Sequence, residues 1–314
     1  MNTMKAVRLY EYGSPEVLVY EEAPMPEPRA DEVLIRVHAA AVNPADWKIR
    51  QGYLKNQFPF PLPLIPGYDL AGAVVGIGDQ VKSLALGHEI FAMLPLSQLG
   101  SYAEYAIVNA SLVAPKPTSL DYATAAGVAS VSLTAWQALF DLAQLQAGQI
   151  ILIHGASGAV GRFAVQFAKW KGAFVLGTAS SRNLVAIKRL GVDVAIDYTS
   201  EQFENTGIEV DVVLDTVGGE TRQRSWSVLR RGGILISTEG AADPVIAPST
   251  DVRGVPIFVN PTDSTQLSQI GNLIDSGEIL PLSVRRFPLK DSARVHTALQ
   301  YERQRDKMVL QVVE

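Results

Sequence analysis

The 314-residue sequence contains no cysteine and only four histidines. Without cysteine there can be no disulfide, no thiolate zinc site, no iron–sulfur cluster and no cysteine nucleophile. The histidines, at positions 38, 88, 154 and 296, show no HExxH pattern or other metal-ligand spacing. We therefore predict that the protein has no metal site and that its histidines are structural or lie at the surface.

Long apolar runs are scarce as well. No run approaches the roughly 18 residues needed to cross a bilayer, and the opening MNTMKAVRLYEYG carries charges where a secretory signal would be apolar. The formal net charge of −5 gives no electrostatic reason to expect nucleic acid or a membrane surface as a partner. We expect a cytoplasmic globular protein that binds neither nucleic acid nor membrane.

The patterns that are present change along the chain. From Met4 to Val113, short alternating segments separated by glycine and proline predict a β-rich domain. From Ile150 to Val259, apolar strand candidates alternate with helical segments, which is typical of a doubly wound parallel sheet. A further helix is predicted over 262–277, and the C-terminal tail is predicted to form a strand, a helix and a strand.

The segment IILIHGASGAVG (150–161) predicts a buried strand, a tight turn and a helix. Glycine in such a turn lets the backbone approach a phosphate, and the helix N-terminus offers N–H groups to an anion. The usual GxGxxG pattern occurs here as AxGxxG, with Ala156 in the first position. Taken alone, the segment fits a dinucleotide site or an ordinary strand-to-helix turn.

The charges after this turn favour one cofactor. An NAD-binding protein usually places Asp or Glu about 20 residues further on, to hold the ribose 2′-hydroxyl. Here the second strand ends in GTASSRN (177–183), and no Asp or Glu occurs from Leu142 to Val192. Ser180 and Arg182 can donate hydrogen bonds to a 2′-phosphate, which a carboxylate would repel. We therefore predict that this segment binds the 2′-phosphate of NADPH. The alternative is that it is an ordinary solvated loop.

Several stretches together resemble the zinc-free quinone oxidoreductase and enoyl reductase branch of the medium-chain dehydrogenase/reductase superfamily. They are AAVNPADWKIRQG (39–52), PGYDLAGAVVGIGDQV (66–81), GSYAEYAIV (100–108), AGVASVSLTAWQAL (126–139), HGASGAVGRFAVQFAKWKGA (154–173), DTVGG (215–219) and FPLKDSARVHTALQ (287–300). The resemblance covers nearly the whole chain.

This resemblance implies an α/β fold with two domains. A GroES-like β-rich domain would comprise residues 1–122 and 278–314, because the C-terminal tail would return to the first domain. A Rossmann domain with a doubly wound, parallel, six-stranded sheet would comprise residues 123–277. The apolar strand Val255 to Val259 would lie at the edge of that sheet, where an unpaired strand invites a partner, so we predict a homodimer.

The resemblance also bears on the chemistry. Asn43, Tyr68 and Ser130 align with the Cys, His and Cys that hold the catalytic zinc of the superfamily's alcohol dehydrogenases, and none is a good zinc ligand. The implied reaction is hydride transfer from NADPH to a quinone or to the activated C=C bond of an enone. Asn43 and Tyr68 would be the catalytic hydrogen-bond donors to the developing oxyanion. Two alternatives stay open: an alcohol/ketone dehydrogenase of the same fold, and a non-enzymatic, crystallin-like NADPH-binding protein.

Binding residues carried over from the resemblance complete the prediction. A small hydrophobic conjugated substrate would contact an apolar loop through Tyr53, Phe58 and Phe60. The cofactor would contact Thr134, Ser157, Gly158, Ala159, Val160, Gly161, Ser180, Arg182, Tyr198, Val217, Phe258, Asn260 and Lys307. In two places the chain departs from its relatives. Many of them have a lysine two residues beyond Arg182, where this chain has Leu184, and their C-terminal motif GKxVL begins with Asp306 here, as DKMVL (306–310). Asp46 is predicted to cap the backbone rather than act as an acid.

Overall fold

The computed structural model describes residues 2–240, 251–302 and 306–313. The backbone divides into two compact units. Unit 1 comprises Met1–Ser130, Asn260–Gly277 and Pro281–Glu314, and unit 2 comprises Val131–Val259 and Glu278–Leu280. Compared with the division expected from the sequence, residues 123–130 and 260–277 belong to unit 1 rather than to the Rossmann unit, and residues 278–280 belong to unit 2 rather than to the first domain.

Unit 1 consists mainly of strands, numbered here in chain order. An antiparallel pair is formed by β1 (Thr3–Leu9) and β2 (Leu18–Pro24). A seven-stranded sheet has the order β14-β15-β3-β4-β5-β7, with β6 paired to β3. Its strands are β3 (Glu32–Ala41), β4 (Asp69–Ile77), β5 (Glu89–Met93), β6 (Tyr105–Asn109), β7 (Ala114–Pro115), β14 (Val284–Pro288) and β15 (Lys307–Gln311).

The C-terminal tail completes this sheet. β15 pairs antiparallel with β3, with Val309 opposite Ala41, and parallel with β14. The C-terminal strand therefore lies in the same sheet as β3, next to the N-terminal part of the chain. Three helices accompany the strands of unit 1: α1 (Pro44–Arg50), α6 (Thr265–Asp275) and α7 (Ser292–Tyr301).

Unit 2 is built around a parallel six-stranded sheet with the order β10-β9-β8-β11-β12-β13. Its strands are β8 (Ile150–His154), β9 (Phe174–Ala179), β10 (Val194–Asp197), β11 (Val210–Asp215), β12 (Leu229–Ser237) and β13 (Arg253–Pro256), and its helices include α3 (Ala159–Trp170), α4 (Leu184–Arg189) and α5 (Gly219–Ser225). This is the predicted doubly wound sheet. β13 lies at an edge, although its bounds differ from the predicted 255–259.

The strand order determines where unit 2 can bind a ligand. The order reverses between β8 and β11, and in such sheets ligands bind at the carboxyl ends of the strands flanking that reversal. The ends of β8, β9 and β11 carry the glycine turn, the segment with Ser180, and the DTVGG segment. Three motifs that are distant in sequence therefore meet at one edge.

One helix is longer than the others and mostly apolar. α2 (Tyr122–Trp136) continues as a π-helical segment over Gln137–Leu142. Among the described residues, this is the one helix long and apolar enough to cross a membrane, with a mean hydropathy of 1.2. Because 78% of its most apolar window is buried within the protein, its composition is that of a core helix.

Candidate active site

In unit 1, Asn43 and Asp46 lie at the N-terminus of α1. Asn43 is the N-cap of this helix and forms a capping box with Asp46. The backbone N–H of Asn43 donates to Asp46 Oδ2 at 2.7 Å, which satisfies a donor that the helix start leaves unpaired. Pro44 follows as the first helical residue, where its missing N–H costs nothing. The predicted capping role of Asp46 is therefore present.

The side chain of Asn43 belongs to a buried polar group that we call the Asn43 cluster: Asn43, Asp69, Ser130 and Lys307. Asn43 Nδ2 donates to Asp69 Oδ2 at 2.9 Å, and Asn43 Oδ1 accepts from Ser130 Oγ at 3.3 Å and from Lys307 Nζ. Ser130 also donates to Asp69, through Oγ at 2.5 Å and through its backbone N–H at 3.1 Å. With a cation on its oxygen and a carboxylate on its nitrogen, the amide of Asn43 has one favourable orientation.

The charges of this cluster are enclosed by protein. Burial raises the pKa of Asp69 to about 6, against the effect of Lys307 and of the hydrogen bonds from Ser130 and Asn43. Burial lowers the pKa of Lys307, whose Nζ also donates to the carbonyl oxygen of Val42 at 3.0 Å. Removing one member of such a buried charge pair leaves the other uncompensated, so the members depend on one another.

Two of the three aligned zinc-ligand positions, Asn43 and Ser130, are brought together by hydrogen bonds in this cluster. The third, Tyr68, directly precedes β4 and is only 6% exposed. Burial raises the pKa of Tyr68 well above 10, so it remains a neutral phenol. Within the described part of the chain, no three His, Asp or Glu side chains lie close enough to hold a metal ion.

Sequence reasoning missed one member of the cluster, Asp69, and predicted a different contact for another, Lys307. It gave Asp69 no role, although an acid inside the apolar string GYDLAGAVV indicates a buried carboxylate that needs partners. Lys307 was predicted to contact the cofactor, but here its ammonium group is bonded to Val42 and Asn43. Asn43, at 2% exposure, and Tyr68 are both buried in this structure.

The apolar loop predicted to bind substrate also lies in unit 1. The rings of Phe58 and Phe60 stack, with centroids 6.1 Å apart and planes inclined by 21°. Tyr53 is 67% exposed, and its ring meets the ring of Trp47 edge-on at 5.9 Å. Trp47 was not singled out from the sequence. These rings offer flat apolar surface of the kind that conjugated ligands contact.

In unit 2, the glycine turn has the features of a phosphate cradle. Gly155 has a φ of +70°, and a Cβ there would lie 2.4 Å from Thr216 Oγ1. A Cβ on Gly161 would lie 2.2 Å from the carbonyl oxygen of Gly155, so only glycine lets α3 pack this closely on the turn. Gly158 is the N-cap of α3 and offers no capping side chain, so the N–H groups of the first turn remain available to an anion.

The segment after β9 lies next to this cradle. Asn183 Nδ2 contacts both Ser157 Oγ and Ser180 Oγ at 3.3 Å, which joins the two segments. Arg182 is exposed on a short 3₁₀ turn, Ser181–Asn183. Sequence reasoning missed Asn183, a residue type that favours local side-chain bonds in turns.

An acid at the neighbouring strand end was also overlooked. Asp197 ends β10 directly opposite Ala179, the last residue of β9. Its Oδ1 accepts hydrogen bonds from Thr199, from the backbone N–H at 3.0 Å and from Oγ1 at 2.7 Å. Hydrogen bonds from Ser181 and then Thr199 lower the pKa of this carboxyl group. The carboxylate charge of Asp197 is therefore stabilised by hydrogen bonds from neighbouring residues.

The remaining predicted cofactor residues differ in accessibility. Tyr198, Val217 and Phe258 are exposed by 55%, 53% and 59%, and Asn260 is also exposed. Thr134, on α2, is only 8% exposed. The turn that presents Val217 is held by Asp215, whose Oδ1 accepts from the backbone N–H groups of Val217 and Gly218, each at 2.9 Å.

Comparisons with known proteins identify the family of the chain. Residues 29–118 match the alcohol dehydrogenase GroES-like domain, and residues 190–310 match the family described as zinc-binding dehydrogenase. The chain is 37% identical to the NADPH-dependent alkenal/one oxidoreductase, chloroplastic, of Arabidopsis thaliana, over 95% of this chain and 76% of that protein. It is 33% identical to the quinone oxidoreductase of Rattus norvegicus, over 93% of each protein.

A solved structure extends the comparison to the fold. The quinone oxidoreductase from Coxiella burnetii superimposes with a TM-score of 0.92 and 31% identity, covering 99% of this chain and 100% of that one. The chain therefore belongs to the zinc-free quinone oxidoreductase branch of the medium-chain dehydrogenase/reductase superfamily, and it is an oxidoreductase.

Proposed function

We propose that this oxidoreductase uses NADPH to reduce a quinone or the activated C=C bond of an enone, and that it does so without zinc. The observation that carries the proposal is the Asn43 cluster. At positions where the zinc-dependent alcohol dehydrogenases place ligands, this chain has an amide and a hydroxyl that are bonded to Asp69 and Lys307. Such groups suit hydrogen bonding to an oxygen better than they suit coordination of zinc.

In this reaction the protein would position the substrate and donate hydrogen bonds to its oxygen. Bound NADPH supplies the hydride. Reduction of a conjugated carbonyl places negative charge on its oxygen, and preorganised donors stabilise that charge. The amide of Asn43 carries two N–H groups, of which one donates to Asp69, and Tyr68 carries a phenolic O–H. Lys307 and Asp69 would hold the Asn43 amide in its donating orientation.

Three observations support NADPH as the cofactor. The glycine turn of unit 2 fits a pyrophosphate, and the exposed Arg182 lies in the segment beside it with Ser180. The carboxylate of Asp197 is engaged by Thr199, which limits its repulsion of a 2′-phosphate. The Arabidopsis relative is named as NADPH-dependent.

The apolar loop supports a small hydrophobic conjugated carbonyl compound or quinone as substrate. Phe58 and Phe60 form a stacked pair, and the ring of Tyr53 is exposed beside Trp47. Ligand sites lined in this way bind flat apolar molecules and leave orientation to a few polar groups.

A substrate panel tests the function. The purified protein should oxidise NADPH with a simple quinone or an enone, and should show little activity with a saturated ketone or with an alcohol and NADP⁺. A chelator should leave the rate unchanged, and elemental analysis should find no stoichiometric zinc. Rapid alcohol oxidation without quinone or enone reduction would contradict the proposal, as would one zinc per chain with activity lost to the chelator.

We also propose that the protein forms a homodimer through the edge of the unit 2 sheet. Among the described strands β13 pairs only with β12, so it is an edge strand, and the backbone of an edge strand can pair with a second chain. Phe258, two residues beyond this strand, is 59% exposed. Light scattering at micromolar concentration should give twice the 33.9 kDa chain mass, and a monomer would contradict the proposal.

A further inference from the structure

A chain of buried polar side chains lies next to the glycine turn, within unit 2. We call it the His154 network: His154, Thr178 and Ser225, whose exposures are 0%, 3% and 0%. His154 ends β8, Thr178 lies near the end of β9, and Ser225 ends α5. The parallel register of β8 and β9 makes His154 and Thr178 neighbours. The network therefore joins three elements of unit 2 directly before the turn.

The hydrogen bonds of this network run in one direction. The hydroxyl of Ser225 donates to the carbonyl oxygen of Thr221 at 2.7 Å, so its oxygen is left to accept from His154 Nε2 at 2.9 Å. In a neutral imidazole the proton is then on Nε2, and Nδ1 is an acceptor. Thr178 Oγ1 lies 3.2 Å from Nδ1 and donates to it. The same oxygen accepts from the backbone N–H of Gly155 at 3.3 Å.

The imidazole of His154 is held in one orientation and in one charge state. Its ring meets the ring of Phe203 edge-on, with centroids 4.7 Å apart. Burial lowers the pKa of His154 to about 4, so the ring is neutral near pH 7. The charged groups that act on it, with smaller effects than burial, are Asp215, Glu204 and Arg224. A neutral ring with both nitrogens bonded provides a fixed donor and a fixed acceptor.

The network ends on Gly155, whose backbone shapes the glycine turn. Glycine has many accessible conformations, so neighbouring groups must select its φ of +70°. Thr178 binds both flanking peptide groups, since its Oγ1 accepts from the N–H of Gly155 and its carbonyl oxygen accepts from that of Ala156, at 3.0 Å. The carbonyl oxygen of Gly155 accepts from the N–H of Gly158 at 2.8 Å and lies against Gly161. A change at Gly155 would therefore move the start of α3.

We infer that His154 is a positioning residue for the cofactor: through Thr178 it holds the glycine turn in the conformation that binds the pyrophosphate of NADPH. The inference rests on the proposed function, because it requires a dinucleotide at this turn. Ser225 selects the tautomer in which Nδ1 of His154 is an acceptor, and the Thr178 hydroxyl passes this constraint to the backbone of Gly155. A turn that is ordered before binding lowers the cost of binding, because the ligand does not have to order it.

The main test measures the Kd for NADPH by fluorescence titration, which does not depend on turnover. Thr178→Val removes the hydroxyl and nearly keeps the shape of the side chain. We expect its Kd to rise about tenfold, which equals about 1.4 kcal/mol and is close to the net contribution of one hydrogen bond. Thr178→Ser keeps the hydroxyl and should keep the Kd of the parent. In steady-state kinetics, Thr178→Val should raise the KM for NADPH and leave kcat at saturating NADPH unchanged.

A matched control removes an equivalent hydroxyl elsewhere in unit 2. The hydroxyl of Thr206 donates to the carbonyl oxygen of Phe203 at 2.9 Å and accepts from the N–H of Ile208 at 3.3 Å. Thr206→Val therefore also loses one donated and one accepted bond, but it should keep the Kd of the parent. Urea unfolding without cofactor compares the stabilities of the variants. An equal loss of affinity in Thr206→Val and Thr178→Val would indicate a merely structural role and would overturn the inference.

A double-mutant cycle tests whether His154 acts through Thr178. His154→Phe keeps a ring but removes both nitrogens, and it should raise the Kd for NADPH by up to about tenfold. If the imidazole acts through the Thr178 hydroxyl, combining His154→Phe with Thr178→Val should cause no further rise beyond Thr178→Val alone. Additive effects of about a hundredfold in the double variant, or an unchanged Kd in His154→Phe, would contradict the inference.

Nuclear magnetic resonance of the unsubstituted protein, labelled with ¹⁵N at histidine, provides a readout that needs no cofactor. The chain has four histidines, so their signals can be assigned by substitution. The ring nitrogen shifts of His154 should show a proton on Nε2 and a neutral ring between about pH 5 and pH 8, because its pKa is lowered to about 4. A proton on Nδ1, or titration near the ordinary value of 6.5, would contradict the direction of the network.

The outcomes separate this inference from the proposed function. If the parent binds NADPH and Thr178→Val binds it equally well, the role of His154 is wrong and the proposed function stands. A folded parent that does not bind NADPH would overturn the proposed function, and the role of His154 with it.

Discussion

Replacing Asn43 by alanine should lower kcat for quinone or enone reduction by about 10²–10³, the range for loss of an oxyanion-hole donor. The amide would act in the transition state, because charge on the substrate oxygen develops only as hydride arrives. The affinity for NADPH should change little. Steady-state kinetics with a simple quinone and with an enone, together with fluorescence titration of NADPH, measure both quantities.

The variant also disturbs its surroundings, so stability needs a control. Asp69 would lose a donor and Lys307 an acceptor inside the protein, at a cost of about 1–3 kcal/mol for an unsatisfied buried group. Asn109→Ala is a matched substitution, since Asn109 binds Asp31 in an exposed hydrogen bond elsewhere in unit 1. It should leave kcat unchanged. Full activity of a folded Asn43→Ala variant would remove Asn43 from the mechanism.

The parent should prefer NADPH over NADH by about ten- to a hundredfold in kcat/KM, and Arg182→Ala should remove most of this preference. One or two charged hydrogen bonds to a 2′-phosphate account for the size of the effect, at about 1.4 kcal/mol per tenfold change. The substitution should lower kcat/KM for NADPH and leave kcat/KM for NADH unchanged, because NADH carries no 2′-phosphate for Arg182 to bind.

A second arginine provides the control for charge. Arg189 is exposed at the end of α4, in the same stretch of chain that lacks Asp and Glu. Arg189→Ala removes the same net charge and should leave the cofactor preference in place. Equal kcat/KM values for the two cofactors in the parent would show that the interpretation of the segment after β9 is incorrect.

Much of unit 2 could be predicted because its elements follow local rules. The strand IILIH is apolar because it is buried in a parallel sheet, and α3 has apolar residues at helical spacing. The glycine turn between them could be located for the same reason. The pattern could not indicate that Asp197 lies opposite Ala179 at the end of β9, because β9 and β10 are separated by a helix and their pairing register is not encoded locally.

The candidate site of unit 1 was predicted less completely. Asn43 and Tyr68 could be proposed only through the resemblance, since each has an ordinary explanation as a turn residue or a core aromatic. Asp69, which directly follows Tyr68, was missed. A buried polar residue shows in a sequence as an exception to the apolar pattern, but its partner leaves no periodic signal.

By itself, the sequence determined the alternation of strands and helices, the position of the glycine turn and the exclusion of thiolate zinc. Those properties depend on residue type or on spacings of a few positions. Only the tertiary structure decided which polar groups meet. Asn43 is 26 residues from Asp69 and 87 from Ser130, and Lys307 joins them because β15 pairs with β3. Hydrogen bonds act over about 3 Å, so their partners are chosen by strand register and helix packing rather than by distance along the chain.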